Sequence, residues 1–221
     1  MDHPPDDAPE VAATPRERTS VGEPLIRAGD SDFDALYSTT PPWDIGRPQP
    51  AFADLATQGA IVGRVLDVGC GSGEHALMAA ELGCEATGVD VARTAITIAE
   101  RKARERGLTA RFLVCDAREL ASLDEQFDTV LDSGLFHVLN DDDRVGYVDA
   151  LAAAVTPGGR VHLLCFSEHV PGDAGPRRVT QDEIRSSFRR DWRVDDIRAA
   201  QIESTLGPHG VPAWRATITR T

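Results

Sequence analysis

The stretch DVGCGSGE, residues 67–74, ends the β-rich run RVLDVG (64–69) and leads straight into EHALMAAE (74–81). A short apolar run, a glycine-rich turn and a helical window in succession read as the first strand, turn and helix of an α/β sheet. Gly69, Gly71 and Gly73 permit a tight turn and leave room for a ligand to lie against bare backbone. Their spacing is GxGxG. A dinucleotide fingerprint reads GxGxxG and needs a glycine at position 74, where Glu74 stands. An acid opening that helix would also sit badly beside a pyrophosphate. Alone, a glycine loop is equally a plain turn, so its meaning rests on what surrounds it.

Downstream the alternation continues. CEATGVD (84–90), RFLVCD (111–116), FDTVLD (127–132) and RVHLLCF (160–166) are short and apolar or β-rich, as suits parallel strands buried on both faces. Helical windows fall at 74–82, 92–106 and 142–155, the last opened by NDDD (140–143), which offers N-cap oxygens and acids for the helix dipole. This βαβ succession predicts right-handed crossovers and a doubly wound α/β sheet. TQDE (180–183) is a capping box opening a helix through Phe188. WRVDDIRAAQIES (192–204) and PAWRATITR (212–220) read as strands linked only by TLGPHG (205–210). That link is too short for a crossover helix, so the two pair as an antiparallel hairpin at a sheet edge.

Two acids give the glycine loop its context. Asp90 closes the second strand, where a carboxylate can accept from both hydroxyls of a ribose. Asp116 closes the third, where it can reach an adenine amine while the amide of Ala117 serves a ring nitrogen. Singly, each acid reads equally well as a helix N-cap. Together, at the carboxyl ends of adjacent strands beside the switch point of the sheet, they predict an adenosine pocket.

The composition limits the partners. A chain of 221 residues suits one α/β domain, and a net charge of −13 argues against a general nucleic-acid binder, which needs a basic surface. No apolar run approaches the roughly 20 residues that span a bilayer. Residues 1–24 are rich in Pro, Asp and Glu and lack the apolar core of a secretory signal, so they read as a disordered tail in a cytoplasmic protein. Residues 25–58 read as an N-terminal lid segment and 59–221 as the enzyme domain. Cys70, Cys84, Cys115 and Cys165 form no CxxC pair and are expected as reduced thiols, without a metal.

VLDVGCGSGEHA (65–76) resembles the first motif of the class I S-adenosylmethionine-dependent methyltransferases. GVDVA (88–92), CDAREL (115–120) and FDTVLDSGLFHVL (127–139) are similar to the motifs that follow, and LAAAVTPGGRVHLL (151–164) to the helix, glycine turn and fifth strand after them. The resemblance covers about residues 60–167. It implies a seven-stranded sheet of order 3-2-1-4-5-7-6 with strand 7 antiparallel, in agreement with the terminal hairpin read above. It implies S-adenosyl-L-methionine as cofactor, with Gly69, Gly71 and Gly73 facing its methionine part, Asp90 its ribose, and Asp116 and Ala117 its adenine. Val91 joins that cofactor-binding set, and Asp132 and Ser133 are expected near the sulfonium.

Methyl transfer to an easily ionised thiol or phenol needs orientation and a dry pocket more than a strong base. His137 is the best candidate for acid or base catalysis, because it follows strand 4 close to where the methyl group should lie; packing that orients its loop is the competing reading. His169, Arg177 and Arg178 lie on the loop after strand 5, where solvated charge is the default. PPWDIGRPQP (41–50), preceded by FDALYS (33–38), resembles the W-D-x-G segment of the thiopurine, halide and thiol methyltransferases, in which the tryptophan closes over the donor. Trp43 is therefore expected to cover the cofactor, the alternative being a plug at the open end of the sheet. The expected function is methylation of a small acceptor: an aromatic heterocycle, a phenol or quinolone, or a thiol. The alternatives are a nicotinamide-dependent oxidoreductase and a non-catalytic donor-binding protein.

Overall fold

The computed structural model describes residues 33–173 and 175–221; the expected tail, and the first part of the lid segment, lie outside them. Strands β1 (Arg64–Val68), β2 (Glu85–Asp90), β3 (Ala110–Val114), β4 (Phe127–Ser133), β5 (Val155–Phe166), β6 (Trp192–Ile202) and β7 (Val211–Arg220) form one sheet of order β3-β2-β1-β4-β5-β7-β6. β7 runs antiparallel to both neighbours, and the remaining pairings are parallel. The central strands are sealed: in β1 every residue from Val65 to Val68 is buried. Alternation then divides the core between two faces. Leu66, Val130 and Leu163 pack with Tyr147 and Leu151 of α5 (Asp141–Ala154) and Ile184 of α6 (Gln181–Ser187). Val65, Leu131 and Leu164 pack on the other face.

Local chemistry places the helix ends. Asn140 caps α5 by accepting from the Asp143 amide, and three aspartates fill the first turn. Thr180 and Glu183 satisfy both halves of a capping box at α6. α4 (Arg93–Arg106) ends on Gly107 in the left-handed conformation. Two differences from the sequence reading stand out. β5 begins at Val155 rather than at residue 160, with its glycine turn absorbed as an irregularity where the register against β4 shifts between Phe127 and Thr129. The segment after Trp43 also contains an unforeseen helix, α2 (Pro50–Thr57), with proline in its first turn. Phe52 of α2 is fully buried and Leu55 nearly so, against Val65 and Met78. Burial of such side chains stabilises by about 2 kcal/mol each. The expected lid is therefore anchored in the core at its C-terminal end.

Among the described residues no helix is long and apolar enough to cross a membrane, and no group of three or more His, Cys, Asp or Glu is placed to hold a metal ion.

Candidate functional site

A cavity of about 980 Å³ opens at the carboxyl ends of β1, β2, β3 and β4, where the sheet order reverses. Its wall brings together Trp43, Gly69, Gly71, Asp90, Val91, Asp116, Ala117, Ser133 and His137. The floor is the loop after β1. Gly71 has φ +51°, and a Cβ there would stand 2.4 Å from the Tyr37 hydroxyl oxygen, so only glycine admits that hydroxyl over the loop. Asp90 fastens the same loop: its Oδ2 accepts from the Gly71 amide at 2.8 Å and its Oδ1 from the Ala92 amide at 2.8 Å. Burial pushes the Asp90 pKa up, against the pull of those amides.

Two expected residues are not on this wall. Gly73, at φ +88°, is the N-cap of α3 (Glu74–Glu81), and a Cβ there would stand 2.7 Å from the Ala99 Cβ and 2.8 Å from Phe112. Its missing side chain admits close packing of α4 and β3. Asp132 is completely buried beneath the loop after β4. It accepts from the Leu135 and Phe136 amides at 2.9 and 3.3 Å and from the Tyr147 hydroxyl at 2.8 Å. It therefore shapes that loop from below, and Ser133 alone of the pair reaches the cavity. Asp116 lines the cavity but is already engaged by Arg118, whose Nη2 lies 2.6 Å from Oδ2 and whose guanidinium holds the carboxyl below its usual range.

Glu74, which takes the place of a third dinucleotide glycine, accepts from Lys102 at 2.8 Å and from both terminal nitrogens of Arg106 at 2.8 and 2.9 Å. Burial raises its pKa, but those two cations outweigh it and the net shift is downward. It ties α3 to α4.

The sequence reading missed how the lid segment is held. Trp43 Nε1 donates to the Tyr37 hydroxyl at 3.1 Å, with the two rings edge to face at 6.4 Å. Gln49, almost fully buried, donates to the Glu203 carbonyl at 3.0 Å and accepts from the Glu203 amide at 2.8 Å. Arg47 pairs with the Glu203 carboxylate, and the Thr205 amide donates to the Pro42 carbonyl at 2.8 Å. On the other side, the Thr94 amide donates to Asp34. The segment therefore bridges α4 and the β6–β7 turn across the cavity mouth. The glutamine beside a proline carried no sequence signal, because its partner lies 154 residues away.

Beneath the floor, Asp67 Oδ2 accepts from the Ala76 amide at 3.1 Å, while Oδ1 has no hydrogen bond among the described residues and lies 3.9 Å from His75 Nδ1. Burial pushes the Asp67 pKa up to about 8 and holds those of His75, His137 and His162 at about 4, 3 and 4. Below about pH 6.5 the unfolded chain binds more protons on these histidines, so their contribution to stability rises with pH until they are neutral in both states. Once they are mostly neutral in both states, above about pH 7, the folded state still keeps the Asp67 proton that the unfolded state has lost, so stability falls as pH rises toward 8. The expected slope is at most about 1.4 kcal/mol per pH unit. Urea unfolding of the apo protein between about pH 7 and 8, where the unfolded histidines are mostly neutral, should show this decline, and Asp67→Asn should flatten it; a flat wild-type profile contradicts it.

Residues 65–159 match a family model described as a methyltransferase domain. The chain is 41% identical over 165 residues to 2-heptyl-1-hydroxyquinolin-4(1H)-one methyltransferase of Mycobacteroides abscessus, an alignment covering 73% of each protein. The chain belongs to the S-adenosylmethionine-dependent methyltransferases. S-adenosylmethionine is the cofactor of this methyltransferase, which displaces the nicotinamide alternative. Among solved structures it is similar to the one described as "Conversion of a Disulfide Bond into a Thioacetal Group during Echinomycin Biosynthesis", with TM-score 0.78 and 38% identity over 85% of this chain and 91% of that one. It also shares the fold of magnesium protoporphyrin IX methyltransferase from Synechocystis PCC 6803 with bound SAM. That match has TM-score 0.60 and 21% identity, over 77% and 76% of the two chains.

Proposed function

We propose that this methyltransferase transfers a methyl group to an ionisable oxygen on a small aromatic heterocycle of the hydroxyquinolone kind, as a detoxifying or tailoring step. One observation carries the reading: the cavity is at the upper end of the range of about 300–1,000 Å³ typical of ligand sites, and Val138, Leu139, Phe166, Val170 and Val211 give its lining an apolar share beyond the donor residues. Gly69, Gly71, Asp90 and the Asp116–Ala117 corner suit an adenosyl donor: bare backbone for the methionine part, and a carboxylate held by backbone amides that keeps acceptor capacity for the ribose. Val138, Leu139, Phe166, Val170 and Val211 suit a flat apolar acceptor beyond it. The relative named for a hydroxyquinolone supports that class.

Bound S-adenosylmethionine supplies an electrophilic methyl group on a sulfonium. This chain's residues supply orientation, dryness and cover, with Trp43 over the site and Ser133 and His137 beside the reacting centre. A sulfur acceptor is the second reading. It is favoured by the W-D-x-G segment at Trp43, which resembles that of the thiopurine, halide and thiol methyltransferases, and by the similar structure described for conversion of a disulfide bond into a thioacetal group.

The test is a donor-consumption assay over hydroxyquinolones, phenols, heterocyclic thiols and halides. The reading expects turnover with hydroxyquinolones at least about tenfold above that with phenols. Preference for thiols would favour the second reading, and tight donor binding without turnover on any acceptor would leave only a donor-binding protein.

A further inference from the structure

His137 lies in the loop between β4 and α5, its ring against that of Phe166 at 4.4 Å between centroids. The Phe166 amide donates to its Nδ1 at 2.9 Å. A backbone amide only donates, so Nδ1 is the bare nitrogen and the hydrogen of the neutral ring sits on Nε2. Nε2 lies 3.5 Å from where a Cβ on Gly134 would stand, on the cavity wall, and has no protein partner among the described residues. Its hydrogen is offered to the cavity.

Arg144 on α5 is the charge that acts on the ring; Asp132 lies under the loop, Asp143 and Arg178 share the cavity wall, and the neutral Cys165 thiol on β5 and Glu168 on the loop after it lie close to Phe166 in sequence. Arg144 Nη2 donates to the Phe136 carbonyl at 3.3 Å, and its guanidinium, added to burial, keeps the ring from taking a second proton near neutrality. Glu168 accepts from Trp214, and burial raises the Cys165 thiol. Among the described residues, the rest of the wall presents no base free of partners. The Gly71 and Ala92 amides hold Asp90, Arg118 holds Asp116 and Asp143, Lys102 and Arg106 hold Glu74, and the Gln49 amide occupies His75 Nε2. Asp44 accepts from the Gly46 amide and faces Lys102 at 3.8 Å.

We propose that His137 is a fixed hydrogen-bond donor to the reacting anion of the acceptor, not a base, and that the chain selects acceptors that arrive already ionised. The inference rests on the small-acceptor reading above. A lone pair of the acceptor's O⁻ or S⁻ forms the bond to the methyl carbon while the carbon–sulfur bond of the sulfonium breaks. That electron pair stays on sulfur as a neutral thioether, both products are uncharged at the reacting atoms, and no proton moves on the enzyme.

The experiment is the pH dependence of kcat/KM for a series of hydroxyquinolones and aryl thiols whose own pKa values span about three units, with wild type, His137→Phe and His137→Gln. kcat/KM reports the ionisations of free enzyme and free acceptor. The inflexion should therefore follow each acceptor's own pKa in all three proteins. His137→Phe should lower the plateau about 10- to 100-fold through the lost bond to an anion, and His137→Gln, which keeps an N–H, should recover part of it. An inflexion common to all acceptors and lost in His137→Phe would make the histidine a base. An unchanged plateau in His137→Phe would remove it from the reaction. If His137→Phe fails to fold, the wild-type series alone still separates acceptor ionisation from a shared base. Turnover with no member of the series overturns the acceptor reading, and the donor role with it.

Discussion

Asp90→Ala is expected to weaken S-adenosylmethionine binding by about 10- to 150-fold in a calorimetric titration. Asp90 Oδ2 accepts from the Gly71 amide and Oδ1 from the Ala92 amide, with the Val91 amide a further donor to the carboxylate, and a carboxylate has about four lone-pair sites, so acceptor capacity remains for the ribose. Hydrogen bonds to a charged group are worth about 1.5–3 kcal/mol, which is that range of affinity. The substitution also frees the Gly71 amide and loosens the loop against which the methionine part is proposed to lie. Apo stability should change little, because the burial that raises the Asp90 pKa is a cost removed along with the carboxylate. Asp90→Asn keeps an acceptor for one amide and should fall between. Unchanged affinity in Asp90→Ala would show that the ribose lies elsewhere.

Trp43→Ala is expected to weaken donor binding by about 5- to 30-fold, the worth of an aromatic cover with a cation–π contribution of about 1–2 kcal/mol. The indole is half-buried, and its nitrogen holds the Tyr37 hydroxyl, which in turn sits over Gly71. Loss of the indole therefore reaches the cavity floor through Tyr37. The apo melting temperature should barely move, because Phe52 and Leu55 of α2 anchor the segment in the core independently of Trp43. A tryptophan that merely plugged the open end of the sheet would give the reverse: a clearly lower melting temperature with the donor affinity intact.

The strand order, the terminal hairpin and the capping box were legible because each is written in local signals: apolar runs, a link too short for a crossover, and Thr180 three residues before Glu183. Motif spacing located the cavity for the same reason, since strand ends carry it. What stayed hidden depends on contacts distant in the chain. α2 is a short helix behind a cluster of prolines, and only the sheet face it covers reveals its role. Gly73 and Gly71 look alike in sequence, yet one admits α4 and β3 and the other admits Tyr37. Asp132 shares the strand-end position of Asp90, but Tyr147 and the loop amides enclose it. His137 carries no sequence sign of the Phe166 amide that β5, lying beside β4, brings to its Nδ1.

The most direct test of the site is a crystal structure with S-adenosylhomocysteine bound. The account predicts both ribose hydroxyls within hydrogen-bonding distance of the Asp90 carboxylate, the adenine against Asp116 and Ala117, the homocysteine part over Gly69 and Gly71, and Trp43 covering it. The sulfur should face Ser133 and His137. A ribose away from Asp90, or a sulfur directed away from His137, would contradict it.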